Sequence, residues 1–254
     1  MPMLNMRFAF PDHLIDLNRI EALAGISEEG SRLRIGAMTR QRDLERSALV
    51  RLRLPLMHEA LTYVGHRQTR NRGTIGGSLC HLDPAAELVS VAAALDAEIE
   101  IAGPAGYRKL PFAAFPLGYM TPAIAPEEMM TALLIAPPPA GHGHAFVEFA
   151  RRHGDFAIVS VAVLLRLGGG NRIEAARITL GGVQSAPLHM VEAEAMLLGQ
   201  TPEKGLFAAA AATCGSVEAV DDAHVPAWYR RQLAVALTQR ALDTAAARAV
   251  AGGR

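Results

Sequence analysis

A proline-rich interruption divides this chain near its middle. The chain becomes rich in proline between about residues 110 and 142, where it reads FPLGYMTPAIAP and then APPPAGHG. Proline lacks a backbone N–H and fixes φ, so neither a helix nor an interior strand continues through such a run. With 254 residues, half of them apolar, each side can build its own core. We predict two domains, 1–138 and 139–254, with the boundary at the triple proline.

The first half mixes strands and helices. LRIGAM at 33–38 and AEIEIAG at 97–103 are typical of strands, and LPLMHEALTYV at 54–64 has helical spacing of its apolar residues. Thr39 is expected to cap a helix over RQRDLERS. Asp83 is expected to cap another, with Pro84 at its first position, over AAELVSVAAAL.

The second half is expected to pair strands before its helices. AFVEFARRHGDFAIVSVAVLLRL turns at Gly-Asp, and GGGN at 168–171 joins it to RIEAARITLGGV, which indicates an antiparallel sheet. Helices are predicted over LHMVEAEAMLLG, KGLFAAAAATCGSV and AWYRRQLAVALTQRALDTAAARAV. The fold class is therefore α+β.

Composition excludes several functions. Lys and Arg total 25, as do Asp and Glu, so the chain lacks the basic surplus typical of nucleic-acid or anionic-membrane binding. No apolar run approaches the roughly 18 residues of a membrane span, and MPMLNMRFAFPDH lacks signal-peptide order, so we expect a cytoplasmic protein. Cys80 and Cys214 are far apart, which argues against a disulfide framework or a thiolate metal site.

The stretch RNRGTIGGSLCHLDPAAE carries the strongest functional signal. Glycines this dense let a ligand approach the main chain, and the N–H groups of residues 75–78 could cradle phosphate oxygens. Glu87 could accept hydrogen bonds from ribose or ribityl hydroxyls, while Asp83 acts as the helix cap. A tight turn between strand and helix is the alternative that a Gly-Gly pair alone would favour.

TIGGSLCHLDPAAE resembles the second flavin loop of the FAD-binding subunits of molybdenum hydroxylases, the carbon-monoxide-dehydrogenase medium-subunit and xanthine-dehydrogenase flavoprotein family. FPDHLIDLNRI, LRIGAMT, ARRHGDFA, ITLGGV and WYRRQLAVALTQRAL resemble the same family, in its order and over nearly the whole chain. The resemblance implies an FAD-binding domain of the vanillyl-alcohol-oxidase-like (PCMH) type, followed by a C-terminal domain of antiparallel sheet plus helices.

The resemblance also implies a cofactor site and partners. Carried over by position, the FAD-binding residues are Thr74, Ile75, Gly76, Gly77, Ser78, Asp83 and Glu87. Family members often have Asn at 78 and Asp at 87. A molybdenum cofactor is expected on a large subunit and [2Fe-2S] clusters on a small one, in a dimer of heterotrimers. Electrons would pass through FAD to NAD+, a quinone or another acceptor, and no catalytic acid or base is expected in this chain.

The chain departs from the family pattern at its front. In the family a first loop similar to A-G-G-x-S-L precedes the segment that reads MPMLNMRFAFPDH here. We therefore expect that half of the pyrophosphate cradle and the preceding strand and helix are missing, as a late start-codon assignment or a damaged gene would produce. FAD binding would then be weakened.

Two alternatives for the function stay open. One is a truncated structural subunit that docks on its partners without retaining FAD, and the other is a stand-alone flavin oxidase, which the C-terminal half argues against.

Other motifs favour plain structural interpretations. His142 and His144 could ligate a metal but are expected in a solvated turn. Cys80 beside His81 lacks an orienting third group and is expected to pack. The charged run ARRHGDFA is explained equally well by an exposed turn or by contact with flavin, nucleotide or a partner.

Overall fold

The structure is a computed structural model that describes residue 4 and residues 6–252. The expectation of a missing first flavin loop concerns the region at and before Met1, which lies outside the described residues. The described part is α+β, as predicted, with two hydrophobic cores.

The first half builds a five-stranded antiparallel sheet with helices packed on it. The sheet order is β1-β2-β7-β3-β4, and β5 pairs with β6 as a small hairpin. The strands are β1 (Ile26–Glu29), β2 (Arg32–Gly36), β3 (Glu98–Gly103), β4 (Gly106–Pro111), β5 (Pro116–Gly118), β6 (Thr121–Pro122) and β7 (Met129–Ile135). The helices are α1 (Gln41–Arg46), α2 (Ala48–Arg53), α3 (Pro55–Ala60), α4 (Arg67–Arg72), α5 (Ile75–His81) and α6 (Glu87–Ala94).

The second half contains the predicted antiparallel sheet, in the order β11-β10-β9-β8. Its strands are β8 (Gly143–Phe149), β9 (Val159–Leu167), β10 (Ile173–Gly181) and β11 (Leu188–His189). The helices α7 (Val191–Leu197), α8 (Lys204–Thr213) and α9 (Ala227–Gly252) follow. The long helix α9 packs across β8 and β9.

Helix α6 joins the two halves. All eight of its residues are buried, because one face contacts the first core and another packs on β9 and β10 of the second half. The first core also includes Phe146 and Ala162 from the second half. The elements that precede and follow the proline-rich segment are therefore in direct contact.

Two predicted helix caps are wrong. The Thr39 hydroxyl bonds the backbone of Gly25 instead of capping α1, whose first amide, that of Gln41, donates to the Gly73 carbonyl at 2.9 Å. Helix α6 begins at Glu87 and not at Pro84, because residues 83–86 form a turn in which the Ala86 amide donates to the Asp83 carbonyl at 2.9 Å.

Candidate functional site

The glycine-rich stretch is the first turn of a helix and not an open loop. Thr74 is the N-cap of α5, and its Oγ1 accepts the Gly77 amide at 3.0 Å. The Ser78 amide donates to the Thr74 carbonyl at 3.1 Å. Threonine is favoured here because its oxygen satisfies an amide that the helix leaves unpaired.

The other two amides of the stretch are also occupied. The Ile75 amide donates to the Thr39 carbonyl at 3.1 Å, and the Gly76 amide donates to the Ala37 carbonyl at 2.8 Å. The expectation of four free N–H groups over residues 75–78 is therefore wrong. Two of these amides donate to carbonyls that follow strand β2, and the other two donate to Thr74, so none of the four is free for phosphate.

The two adjacent glycines differ in why the structure has no side chain at their positions. A Cβ on Gly76 would lie 2.7 Å from the Ala37 Cβ, so glycine is needed where α5 meets the end of β2. Gly77 is exposed, and a Cβ there would meet only the Thr74 Oγ1, at 2.9 Å. Of the pair, Gly77 is the one that leaves the helix surface bare.

A cleft of about 410 Å³ opens beside this turn. Thr74, Gly76 and Gly77 form one side of it, and Glu128 is its one charged lining residue among those described. The rest of its lining is mostly apolar: Leu17, Leu23, Ala37, Met38, Cys80, Pro122, Ile124, Met129 and Met130. Such a lining suits the flat apolar part of a ligand.

Two hydroxyls of the stretch remain able to donate. Thr74 Oγ1 acts as an acceptor toward Gly77, so its own O–H is free for another partner. Within the described residues the half-buried Ser78 hydroxyl has no hydrogen-bond partner. An anion at this turn would be met by hydroxyls and water, because the amides are already paired.

Asp83 is used by the turn before α6. Its carboxylate accepts the Ala85 amide at 2.9 Å, and the Pro84 carbonyl accepts the Gly182 amide at 2.8 Å. The segment is thus tied both to itself and to the second half. This geometry makes Asp83 a shaping residue of the turn.

Glu87 is the most unusual side chain of the predicted set. It is only 4% exposed, and no other residue in the described part of the chain donates a hydrogen bond to its carboxyl. Burial raises the pKa of Glu87 to about 7, and the charge of Asp83 raises it further while Arg70 opposes the shift. A buried carboxyl whose one protein donor is its own backbone amide is costly, so it calls for a proton or a hydroxyl-bearing partner.

The predicted residues fit FAD in part. The cleft beside Gly77 can take an apolar ring, whereas Asp83 and the buried Glu87 do not line it. The row of free amides expected for the diphosphate is missing, and hydroxyls of Thr74 and Ser78 stand in its place. Glu148 lies on β8 with one carboxylate oxygen buried and without a partner. The sequence does not single it out, because nothing in GHAFVEF shows which distant segment packs on this strand.

The remaining motifs do not form a metal site or a nucleophilic site in the described part of the chain. The rings of His142 and His144 are 6.0 Å apart, and burial, followed by the charge of Arg248, lowers the pKa of His144 to about 4. Within the described residues, no three His, Cys, Asp or Glu side chains come together as a metal site. Burial raises the pKa of the Cys80 thiol to about 11, so it is not a thiolate nucleophile at neutral pH.

The charged turn ARRHGDFA is largely exposed. Gly154 within it, at φ +86°, approaches His66. Among residues 4 and 6–252, no helix is both long enough and apolar enough to span a bilayer.

Both halves of the chain match known domain families. Residues 1–138 match the model of the FAD binding domain in molybdopterin dehydrogenase. Residues 144–245 match the CO dehydrogenase flavoprotein C-terminal domain. Together these models cover most of the chain.

Individual relatives are similar over almost the full chain. The 6-hydroxypseudooxynicotine dehydrogenase complex subunit alpha of Paenarthrobacter nicotinovorans is 38% identical over 98% of this chain and 84% of its own length. The carbon monoxide dehydrogenase medium chain of Hydrogenophaga pseudoflava is 37% identical over 98% and 86%, respectively.

A solved structure gives the same result. The carbon monoxide dehydrogenase from H. pseudoflava that lacks the Mo-pyranopterin moiety of the molybdenum cofactor superposes with a TM-score of 0.93 at 39% identity. The match covers 97% of this chain and 86% of that one. The chain therefore belongs to the family of FAD-binding medium subunits of molybdenum hydroxylases and is an oxidoreductase subunit related to the carbon monoxide dehydrogenase medium chain.

Proposed function

We propose that this chain is the FAD-carrying subunit of a three-subunit molybdenum hydroxylase. The observation that carries the proposal is the match of both halves, in order, to the two domains of such subunits. The relatives are named as a medium chain and as a subunit of a dehydrogenase complex, which supports a role inside an assembly. Partners would be a large subunit with the molybdenum cofactor and a small subunit with [2Fe-2S] clusters, arranged as a dimer of heterotrimers.

The chemistry supplied by bound FAD is the acceptance of electrons from the clusters and their transfer to NAD+, a quinone or another acceptor. This chain's own residues bind and orient. Thr74 and Ser78 donate hydroxyl hydrogens toward the diphosphate, and Gly77 leaves room beside them. Ile75 and Gly76 hold the turn in place through their bonds to the strand end.

The two acidic residues have separate tasks in this proposal. Asp83 fixes the turn ahead of α6, and Glu87 accepts hydrogen bonds from hydroxyl groups of the cofactor. A hydroxyl donor would satisfy a carboxyl that no other residue in the described part of the chain bonds. The apolar cleft beside Gly77 excludes water from the ring it would hold.

A second candidate is a structural subunit that docks on its partners without retaining FAD. The observation in its favour is the complete pairing of the four amides over residues 75–78, which leaves fewer donors for a diphosphate. The two candidates differ in one measurable quantity, the FAD content of the assembled complex.

The test is purification of the native complex through a tag on this chain. We expect two further chains, together with molybdenum, iron and one FAD for each copy of this chain. Partner chains without flavin would favour the structural subunit. A chain that carries flavin but copurifies with no molybdenum or iron subunit would contradict the three-subunit assignment.

A further inference from the structure

A buried polar seam lies between α6 and the sheet of the second half. Ser90 Oγ of α6 is 3.5 Å from Ser160 Oγ of β9, and both side chains are fully buried. Gly181 of β10 permits this approach, since a Cβ there would lie 2.1 Å from Ser90 Oγ. This contact places Ser90 of α6 directly against Ser160 of β9.

Each serine has a glutamate as its neighbour on the same surface. Glu87 precedes Ser90 by three residues on α6, a spacing that puts both on one helix face. Glu148 stands directly opposite Ser160 in the β8–β9 ladder, and directly opposed residues share a sheet face. The two carboxyls therefore lie on the facing surfaces of the same contact, one from each half.

Neither carboxyl has a donor from another residue in the described part of the chain. Glu148 Oε2 is buried without a hydrogen-bond partner, and Glu87 accepts no bond from another residue. Two bare carboxylates cannot remain ionised side by side in a buried site, but a protonated one donates to its ionised neighbour. Burial raises the pKa of Glu148 to about 8, with the charge of Glu87 adding to the shift.

The groups around the pair do not neutralise it. Glu87 faces Asp83 from its own turn and Arg70 from α4, and that guanidinium is already bound to Glu45 and to the Val64 carbonyl. Glu148 faces Tyr63, whose hydroxyl has its pKa raised by burial and by the charges of Glu59 and Glu148. Beyond Tyr63, Arg248 is paired with Glu59.

We propose that Glu148 is a positioning residue for Glu87: the two carboxyls share one proton across the contact between the halves, and this holds the Glu87 carboxyl where hydroxyl groups of bound flavin meet it. The inference rests on the proposed function, because it assigns the task of presenting a cofactor-binding group to a residue of the C-terminal half. Loss of the shared proton leaves two facing charges, and the pair then moves apart.

The test is the pH dependence of FAD binding to the deflavinated complex, followed by flavin fluorescence. For the wild type we expect the dissociation constant to rise about tenfold between pH 6.5 and 9, the factor that corresponds to one pKa unit. In Glu148→Gln the amide N–H donates at every pH, so the constant should change less than twofold over that range. Glu148→Ala removes the donor and should bind more weakly than Glu148→Gln at pH 6.5.

The outcomes separate this inference from the proposed function. A wild-type complex that binds FAD equally well at pH 6.5 and 9, or a Glu148→Gln variant with the wild-type pH slope, would overturn the positioning role and leave FAD binding intact. A wild-type complex that takes up no FAD at any pH would overturn the proposed function and this inference together. Glu28→Gln is the matched control, because it makes the same substitution in an exposed ion pair with Arg53 and keeps the glutamate pair, so its pH slope should match that of the wild type.

Discussion

Arg248 and Glu59 form a bidentate ion pair across 189 residues of sequence. The two guanidinium nitrogens lie 2.8 and 3.0 Å from the carboxylate oxygens. The same carboxylate accepts the Phe146 amide at 3.1 Å, and the same guanidinium donates to the His144 carbonyl at 2.7 Å. These bonds connect α3, from the first half of the chain, to β8 and α9, which both belong to the second half.

Glu59→Ala should destabilise the chain by about 1 to 2 kcal/mol, since it removes charged hydrogen bonds at a half-buried junction. The matched control is Glu28→Ala, which breaks an exposed pair with Arg53 and should cost about 0.5 kcal/mol or less. Thermal unfolding of both variants measures the difference. Equal effects would mean that the junction contributes no more than a surface pair.

Gly77→Val should lower the FAD content of the purified complex at least tenfold. A branched side chain at this exposed position crowds Thr74 Oγ1 and fills the bare surface beside the cleft. Gly118→Val is the control, because a Cβ there meets nothing within 4 Å. Folded Gly77→Val protein with wild-type flavin content would remove the turn from the cofactor site.

Gly181→Ala should destabilise the contact between the halves by about 1 to 3 kcal/mol, the usual cost of overpacking. Its Cβ would lie 2.1 Å from Ser90 Oγ and 2.4 Å from Ser160 Oγ. Gly169→Ala, where a Cβ meets nothing within 4 Å, provides the comparison. Denaturant midpoints suffice for the measurement, and a Gly181→Ala midpoint equal to that of Gly169→Ala would show that the seam can open without cost.

The stability difference between Glu148→Gln and the wild type should depend on pH. The folded pKa values of Glu87 and Glu148, about 7 and about 8, lie above the ordinary value of 4.5, so the folded state holds protons that the unfolded state releases. This contribution is complete below pH 4.5 and is lost as the pH rises to about 8. Relative to the wild type, the melting temperature of Glu148→Gln should therefore rise by roughly 2 to 4 °C from pH 5 to pH 9. A constant difference over this range would exclude a shared proton.

We propose that the boundary between domains 1–138 and 139–254 falls within residues 136–143. Strand β7 ends at Ile135, β8 begins at Gly143, and Pro137–Pro139 fill the connection. Limited digestion with a protease of broad specificity should cut this segment first, and mass spectrometry of the fragments locates the cut. Preferential cleavage within residues 74–103 would place the boundary elsewhere.

The local pattern of the chain determined most of its elements. Apolar alternation predicted β2 and β3, and helical spacing predicted α3 and α9, because each of these segments presents one apolar surface whatever it packs against. The strands on both sides of Gly154 and of residues 168–171 were likewise predicted, since turn residues mark where an antiparallel sheet folds back. The order of motifs along the chain also indicated the family.

Tertiary contacts decided the chemistry of the site. Ile75 and Gly76 look like open donors in sequence, but the carbonyls of Thr39 and Ala37, more than 30 residues earlier, reach their amides once α5 packs on the end of β2. Glu148 has no distinguishing pattern around it, and one of its carboxylate oxygens becomes buried only once distant segments pack on the sheet. The local sequence pattern shows which surface of a segment is apolar. The hydrogen-bond partners of its polar groups and the burial of its charges depend on which distant segment packs against it.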